Sequence, residues 1–368
     1  MTPKLSLVVP CYNESATLEA CVARILAIAS ADLTLEIVIV DDASSDDSLD
    51  RARRLAARHP EIRVLVHDLN CGKGAALRTG FRQVTGDFVA VQDADLEYDP
   101  RDLLRLLEPL VAGEADAVLG SRYLTGGAHR VLDYWHSAGN RFLTFVSNAF
   151  CDLDLTDIET CYKVFRRDVI QSIEIEEDRF GFEPEIVAKL AGLRLRIFEA
   201  RIQYDGRTAA EGKKIRARDG WRALYCILRY NARQSPIPIR FAVYGMIATG
   251  SAIANLATFA LLRALGSPLV VALGTAFTAG SLTNFWLCRS VLFPLDGRHD
   301  GRGDAARFAG VALIGMLLDG TLTMQLIGSG LAPVGSKLIA LLPFPMLDFL
   351  IRRRFVFGGA ATPTAGAR

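Results

Sequence analysis

The sequence predicts an α/β domain built around a mostly parallel sheet, followed by an all-α domain of four transmembrane helices. Over residues 1–235, short apolar and β-branched runs alternate with segments of helical periodicity, which is typical of a parallel sheet with helices on both faces. Over residues 236–357 the chain is mostly apolar, and its charged residues are confined to short patches. The expected divisions are 1–219 for the α/β domain, 220–235 for a linker helix, 236–357 for the membrane domain and 358–368 for a flexible tail.

Composition limits the classes of function. The chain has 368 residues, and its 42 Lys and Arg nearly balance 41 Asp and Glu, so no overall field favours a nucleic acid as partner. The seven cysteines form no CxxC pair and no cluster with histidine, which indicates reduced thiols. The first apolar run ends at Pro10, so we expect no secretory signal and a first domain that stays in the cytoplasm.

Five strands are predicted in the first domain, in alternation with helices. Helical periodicity runs over residues 16–29, and Ser45 is the expected N-cap of a second helix that ends at His59. The predicted strands are 5–9, 35–40, 62–67, 87–92 and 115–119. In such sheets ligands bind beyond the carboxyl ends of the strands. The polar clusters of the chain follow these ends, so we expect a functional site there.

The sharpest cluster is QDADLEYD at residues 92–99, directly after the fourth predicted strand. Asp93 and Asp95 can converge on one hard cation, and oxygen ligands suit Mg²⁺ or Mn²⁺. Such a cation would neutralise the diphosphate of a departing nucleotide. Taken alone, the motif fits an Asp-rich turn better. Glu14, Asp42 and Lys73 occupy other loops at or near the same edge, and together these residues favour a nucleotide pocket.

Residues 70–74, NCGKG, leave two interpretations open. Backbone amides and Lys73 before a helix start would suit an anionic donor, although the Walker pattern GxxxxGK[ST] is absent. A plain tight turn fits the same residues equally well.

Several stretches carry a family resemblance when they are taken together. They are VVPCYNE (8–14), VDDAS (40–44), NCGKGAAL (70–77), QDADLEYDP (92–100), GSRY (120–123), DIETCYKVF (157–165), FGFEPEI (180–186) and GRTAAEGKKI (206–215). The chain resembles family 2 glycosyltransferases, and within them the dolichol-phosphate mannosyltransferases and related polyprenyl-phosphate glycosyltransferases. The apolar half resembles the GtrA-like membrane domain that is fused to some members. The implied fold of the first domain is GT-A, a Rossmann-like α/β fold.

The resemblance implies roles for individual residues. Pro10, Tyr12 and Glu14 would line the nucleotide, and Val40 and Asp42 would lie beside its base and ribose. The implied donor site as a whole consists of Pro10, Tyr12, Glu14, Val40, Asp42, Lys73, Asp93, Ala94, Asp95, Arg122, Arg207 and Lys213. The implied ligands of Mg²⁺ or Mn²⁺ are Asp93, Asp95 and Glu97, and Glu97 stands where the family often has Gln.

Asp95, Arg122 and Arg141 are the implied catalytic residues. Arg122 would reach the phosphates at the reaction centre, and Arg141 either contacts the lipid phosphate or is surface charge. Arg207 and Lys213 match a basic pair on a mobile loop that closes over donor and lipid phosphate.

The implied reaction moves a sugar from a nucleotide-sugar to a polyprenyl phosphate, with inversion at the sugar C1. A lipid monophosphate is already anionic, so its attacking oxygen needs no general base. Basic side chains and the cation would offset the repulsion between two phosphate groups. Asp157 and Glu159 occupy the place of a catalytic carboxylate in related enzymes with hydroxyl acceptors, and we expect them to orient the donor sugar or a loop. The residues do not distinguish GDP-mannose from UDP-glucose, or dolichyl from undecaprenyl phosphate.

The sequence argues against two other classes of function. A processive polysaccharide synthase carries a QxxRW signature, and no Trp follows an Arg in this chain. A non-enzymatic flippase of lipid-linked sugars would tolerate a degenerate transferase head, whereas Asp93, Asp95, Arg122 and Lys213 are intact.

Four apolar stretches, 239–265, 268–292, 307–331 and 333–351, are each near the ~20 residues that cross a bilayer core. Pro343 and Pro345 should bend the fourth. Asp319 and Asp348 lie within these stretches and either shape a lipid groove or tie helices together. Basic residues lie before the first stretch, between the second and third, and after the fourth: Arg229, Arg233, Arg240, Arg289, Arg298, Arg302, Arg307, Arg352, Arg353 and Arg354. The positive-inside rule therefore places both termini and the catalytic domain in the cytoplasm.

Residues 220–234 combine apolar residues at helical spacing with Arg222, Arg229 and Arg233. This pattern is typical of an interfacial helix that lies on an anionic membrane leaflet. A plain helix that connects two domains is the alternative.

Overall fold

The computed structural model describes residues 2–124, 130–206, 217–231, 235–292 and 301–341. The chain divides into two compact units, Met1–Gln234 and Ser235–Arg368. The boundary therefore follows the predicted linker helix, whose described part belongs to the first unit.

Within the described residues, seven strands form the sheet of the first unit. They are β1 (Lys4–Cys11), β2 (Thr34–Asp41), β3 (Ile62–Val66), β4 (Phe88–Val91), β5 (Ala117–Ser121), β6 (Lys163–Arg166) and β7 (Ile197–Arg201). Their order in the sheet is β3-β2-β1-β4-β6-β5-β7. Only β6 is antiparallel to its neighbours, β4 and β5, and the other pairs are parallel. The predicted α/β fold with a mostly parallel sheet is confirmed.

Eight helices of the first unit lie within the described residues. They are α1 (Leu18–Leu26), α2 (Ser48–Arg58), α3 (Lys73–Gln83), α4 (Arg101–Val111), α5 (Tyr134–Cys151), α6 (Arg167–Ser172), α7 (Phe182–Gly192) and α8 (Ala217–Asn231). The predicted N-cap Ser45 is wrong, because α2 begins at Ser48 after Asp47. The Ser45 amide instead donates to Asn13 Oδ1 at 2.8 Å, so Ser45 supports the loop after β1.

The central strands are buried on both faces, which explains why the sequence shows them as continuous apolar runs. Leu7 and Val8 of β1 and Ile39 of β2 have no exposed surface. Helix α3 packs closely on this layer at Gly80, where an added Cβ would lie 2.3 Å from Val8 Cγ1. The carboxyl ends of β1, β2, β4 and β5 consequently face one edge of a rigid sheet.

The second unit contains α9 (Ile237–Ala264), α10 (Leu269–Leu287), a π-helical turn over Cys288–Leu292, α11 (Gly301–Gly328) and α12 (Pro333–Leu341). Three spans within the described residues are long and apolar enough to cross a membrane: Ile237–Ala264, Leu269–Val291 and Gly310–Gly328. Of the fourth predicted span only α12 is described. Pro343, Pro345 and Asp348 lie outside the described residues, so a fourth span stays a prediction.

Polar side chains join the helices of this second unit. Asp319 on α11 and Lys337 on α12 form a buried ion pair, which supports the helix-tie interpretation of Asp319. Gly280 on α10 lies against α9, where an added Cβ would be 2.8 Å from Asn255 Cβ. Small residues thus permit close packing of α9 and α10.

Candidate active site

A cleft of about 700 Å³ lies at the carboxyl edge of the sheet, beside the end of β4. It is enclosed by the loop after β4, the end of β5 and the segment after β7. Acidic, basic and aromatic side chains line it together, among them Arg24, Asp95, Glu97, Arg122, Arg130, Arg201 and Tyr204. This combination of charges is suited to anionic groups that carry a cation.

The acidic loop after β4 sends its carboxylates in different directions. Asp95 and Glu97 line the cleft, and the Glu97 amide donates to Asp95 Oδ1 at 3.2 Å. Leu96 between them has a φ of 65°, in the left-handed region that a leucine rarely adopts. Asp93 lies behind this turn and accepts from Lys73 Nζ at 3.0 Å. The loop therefore presents the carboxylates of Asp95 and Glu97, and further along that of Asp99, to the cleft, whereas that of Asp93 faces Lys73.

The segment after β7 holds the acidic loop in place. The Tyr204 hydroxyl donates to Glu97 Oε2 at 2.8 Å, and the Asp205 amide donates to the Glu97 carbonyl at 2.9 Å. The rings of Tyr98 and Tyr204 are 5.1 Å apart. The predicted loop residues Arg207 and Lys213 follow this segment and lie outside the described residues.

Arg122 and Asp157 form a buried bidentate ion pair beside the cleft. The guanidinium donates to both carboxylate oxygens, at 2.6 and 2.8 Å, and Asn140 Nδ2 adds a third donor at 3.1 Å. Burial raises the pKa of Asp157, but Arg122 and Asn140 outweigh it and hold that pKa below its usual range. Asp157 therefore orients Arg122, whose guanidinium also lies 5.1 Å from the centre of the Tyr204 ring.

Glu159 lies in a different environment although it is only two residues further along the chain. Its Oε1 is buried and has no hydrogen-bond partner among the described residues. Burial, and secondarily the nearby carboxylate of Glu183, raise the pKa of Glu159 to about 7. The Glu159 carboxyl therefore keeps its proton until the pH approaches neutrality.

Lys73 is shared between two carboxylates. Its ammonium bonds Asp93 and also lies 2.9 Å from Glu183 Oε1 on α7. Burial lowers the pKa of Lys73, but Asp93 and Glu183 outweigh it and keep that pKa well above its usual value. The ammonium therefore stays charged within the protein.

Asp42 is a structural centre of the loop that precedes α3. Its carboxylate accepts from the amides of Cys71 and Gly72 at 2.9 and 2.7 Å and is hydrogen-bonded to His67 Nδ1 at 2.7 Å. Gly72 has a φ of 103°, which favours glycine. Because Asp42 occupies two of the loop's amides, the tight-turn interpretation of NCGKG is better supported than a phosphate loop.

Asp42, His67 and Cys71 also have their ligand atoms within 4.8 Å of one another, the one such group of three found in the part of the chain that the structure describes. The second ring nitrogen of His67 is hydrogen-bonded to Thr79 Oγ1 at 2.9 Å. These hydrogen bonds account for the cluster as a support of the loop. The expected ligands Asp93, Asp95 and Glu97 do not form such a group.

The remaining predicted residues are not among those that line the cleft. Tyr12 is exposed after β1, and Val40 is buried in β2. Arg141 is exposed on α5, with its guanidinium 5.5 Å from the centre of the Tyr123 ring, and it is not among the residues that line the cleft. Pro10 lies in β1, Glu14 lies three residues after the end of β1, and Ala94 lies three residues after the end of β4.

Sequence reasoning missed Arg24, Arg130, Arg201, Tyr204 and Glu183. Glu183 lies within the FGFEPEI stretch, so the family resemblance was a signal for it. No motif marks Arg24, because it is one basic residue on an amphipathic helix.

Comparison with known proteins gives two family matches. Residues 6–174 match glycosyl transferase family 2, and residues 240–357 match the GtrA/DPMS transmembrane domain. Undecaprenyl-phosphate mannosyltransferase of Micrococcus luteus is 31% identical over 217 residues, which cover 56% of this chain and 85% of that protein. Dolichol-phosphate mannosyltransferase of Pyrococcus furiosus is 27% identical over 289 residues, which cover 77% and 79%. Glucosyl-3-phosphoglycerate synthase from Mycobacterium tuberculosis aligns with a TM-score of 0.49 and 20% identity over 64% of this chain and 81% of its own.

Proposed function

Because the chain belongs to glycosyl transferase family 2 and contains a GtrA/DPMS transmembrane domain, we propose that it moves a sugar from a nucleotide-sugar to a polyprenyl phosphate, with inversion at the sugar C1. Its two relatives above are a dolichol-phosphate and an undecaprenyl-phosphate mannosyltransferase. The observation that carries the proposal is that Asp95 and Glu97 line the same cleft as Arg122 and other arginines. Two phosphate groups need such a balance of charge in order to approach each other.

We assign the divalent cation, Mg²⁺ or Mn²⁺, to Asp95 and Glu97. Both offer the hard oxygen ligands that these ions prefer, and both line the cleft. When bound, the cation would neutralise charge on the donor diphosphate as the leaving group departs. Asp93 supports the loop from behind, since both of its oxygens lie 3.0 Å from Lys73.

No side chain needs to act as general base, because the attacking oxygen of a lipid phosphate is already ionised at neutral pH. Asp157 is buried on Arg122 and is not available to remove a proton. Asp157 holds the guanidinium of Arg122. This group is planar and forms charge-assisted hydrogen bonds, so it suits a phosphate oxygen. Arg24, Arg130 and Arg201 add positive charge along the same cleft.

The first unit also has a surface suited to a membrane. Tyr134, Trp135, Phe142 and Phe145 of α5 are exposed, as is Trp221 of the neighbouring α8. Exposed aromatic side chains are favoured at the interface between lipid and water. We propose that this face rests on the cytoplasmic leaflet, with Arg229 on α8 near the anionic headgroups. The basic residues around the spans support a cytoplasmic location for both termini and for the catalytic unit.

The test is a transfer assay on the purified full-length chain in detergent. Undecaprenyl or dolichyl phosphate, Mg²⁺ or Mn²⁺ and a panel of radiolabelled nucleotide-sugars are incubated with the protein. We expect label to enter the lipid phase with one donor and chelation of the cation to abolish this transfer. Asp95→Asn should lower kcat by about 10²–10³-fold, the scale for a group that stabilises transition-state charge.

Asp32→Asn is the matched control, because Asp32 is exposed after α1 and away from the cleft. It should retain wild-type transfer. If folded protein transfers sugar from no donor to either lipid, the proposal is overturned and a flippase with a degenerate transferase head becomes the better explanation.

A further inference from the structure

We propose that Glu183 is a positioning residue for the donor site, which acts through Lys73 to hold Asp93 and thereby the acidic loop. This inference rests on the proposed function. Glu183 touches neither the cleft nor the groups assigned to the cation, so it is not a catalytic residue.

The three charged groups come from three elements and meet at one ammonium. Lys73 begins α3, Asp93 follows β4, and Glu183 lies in the first turn of α7. Lys73 Nζ lies 3.0 Å from each carboxylate oxygen of Asp93 and 2.9 Å from Glu183 Oε1. All three side chains are largely buried, at 14%, 21% and 6% exposure. Because little solvent reaches the contacts, their electrostatic interactions are only weakly screened.

Helix α7 is well placed to act as a fixed support. Its first residue, Phe182, is buried, and its ring lies 6.0 Å from that of Phe81 on α3. The Ala75 amide of α3 donates to the Asp178 carbonyl at 3.1 Å, just before α7. The carboxylate of Glu183 is thus presented to Lys73 from a rigid element, as a positioning group should be.

Glu183 is a poor choice for stability alone. Its Oε2 is buried and has no hydrogen-bond partner among the described residues, and an unsatisfied buried carboxylate oxygen costs free energy. Such a group in a folded protein calls for an explanation. The contact that distinguishes Glu183 is its ion pair with Lys73. Lys73 in turn holds Asp93, which precedes Asp95 in the acidic loop.

The proposal makes a specific prediction for a double-mutant cycle. Glu183→Gln keeps an oxygen for Lys73 but removes the charge, and we expect kcat/KM for the nucleotide-sugar to fall about 10–100-fold. Lys73→Met should lower it by at least as much. If Glu183 acts through Lys73, adding Glu183→Gln to Lys73→Met should change kcat/KM by less than about threefold, because residues in one network are not additive. Equilibrium dialysis of UDP and GDP with Mn²⁺ gives the same cycle for donor affinity.

Glu185→Gln is the matched control. Glu185 is fully buried two residues further along the same helix, where it accepts from the amides of Glu176 and Glu177. Glu185→Gln should lower thermal stability. Any change that it causes in kcat/KM should multiply with the change caused by Lys73→Met. If Glu183→Gln does not fold, Glu183→Asp retains the charge but shortens the reach, and it should show the same cycle.

Two results would overturn the positioning role: a fall in kcat/KM on Glu183→Gln that is as large in the Lys73→Met background as in wild type, or a Glu183→Gln variant whose kcat/KM lies within twofold of wild type. In either case, sugar transfer by the wild-type chain would still support the proposed function. A wild-type chain that transfers no sugar and binds neither nucleotide would overturn both proposals. A chain that binds nucleotide without transfer would leave the binding cycle to decide on Glu183.

Discussion

Asp157 is fully buried and Glu159 is half-buried, and their surroundings shift their pKa values in opposite directions. Arg122 bonds Asp157 through two hydrogen bonds and stabilises its ionised form. Glu159 Oε1 has no hydrogen-bond partner among the described residues, and burial, followed by the carboxylate of Glu183, opposes its ionisation. Two neighbouring carboxyls therefore differ in pKa because of burial and of contacts with residues distant in the chain.

The raised pKa of Glu159 predicts a dependence of stability on pH. When a carboxyl binds its proton more tightly in the folded state than in the unfolded state, the free energy of unfolding falls as pH rises from the unfolded-state pKa to the folded-state pKa. For Glu159 this interval runs from 4.5 to about 7. Glu159→Gln cannot ionise, so its stability relative to wild type should increase between pH 5 and pH 8, by on the order of 3 kcal/mol at most.

Thermal unfolding of the two proteins across this pH range checks the prediction. We expect the Tm difference, variant minus wild type, to grow with pH. Parallel pH profiles would show that Glu159 does not titrate within this interval.

At the scale of elements, α3 and the segment before α7 approach each other unusually closely. An added Cβ on Gly74 would lie 2.0 Å from the Glu177 carbonyl oxygen. Because this oxygen belongs to the backbone, no side-chain rotation can relieve the contact. Glu177 is itself held from α8, where Arg222 donates to it at 2.7 Å and the Tyr230 hydroxyl at 3.0 Å. The start of α3 is therefore linked to α8 through one short segment.

Gly74→Ala should push α3 away from this segment and displace Lys73 beside it. We expect a loss of stability of about 1–3 kcal/mol, as is usual for overpacking, together with weaker binding of UDP or GDP. Gly139→Ala is the control, since an added Cβ on this exposed helical residue meets nothing within 4 Å. That change should be neutral or stabilising by up to about 1 kcal/mol. A Gly74→Ala protein as stable as Gly139→Ala would show that the close approach is easily relieved.

At the scale of the whole molecule, the proposed orientation in the membrane can be tested through one thiol. Cys71 is exposed, whereas the other six cysteines are buried or half-buried, and all seven are free. A membrane-impermeant maleimide should label Cys71 in vesicles whose cytoplasmic face points outward, and should not do so in vesicles of the opposite orientation. Cys71→Ser should remove the label. Labelling only in the opposite orientation would contradict a cytoplasmic catalytic unit.

Much of the fold was predictable because its signals are local. Strands β1, β2, β4 and β5 are mostly buried, so each appears in the sequence as an apolar run. Strand β3 is more exposed but is still rich in β-branched and apolar residues, and the three described spans appear as long apolar stretches. Strands β6 and β7 were missed for physical reasons. The four residues of β6 run directly into α6, and none of the residues of β7 is fully buried, so neither carries a clear periodicity.

The candidate site was predictable in its location but less so in its contacts. Parallel strands bring their carboxyl ends to one edge, so the acidic loop at residues 93–97 and Arg122 were found from the sequence. The expectation that Asp93, Asp95 and Glu97 act alike did not anticipate Lys73, which turns Asp93 inward. The roles assigned to Arg141, Arg207 and Lys213 stay predictions.

The sequence by itself determined the α/β pattern, the family, the acidic loop and the apolar spans, because each is written in residues close together in the chain. Only the tertiary structure decided which charges meet: Arg122 with Asp157, and Lys73 with Asp93 and Glu183. The physical reason is that an ion pair depends on distance in space and on exclusion of water. Both follow from the packing of β4, β5 and α7, which no single stretch of sequence records.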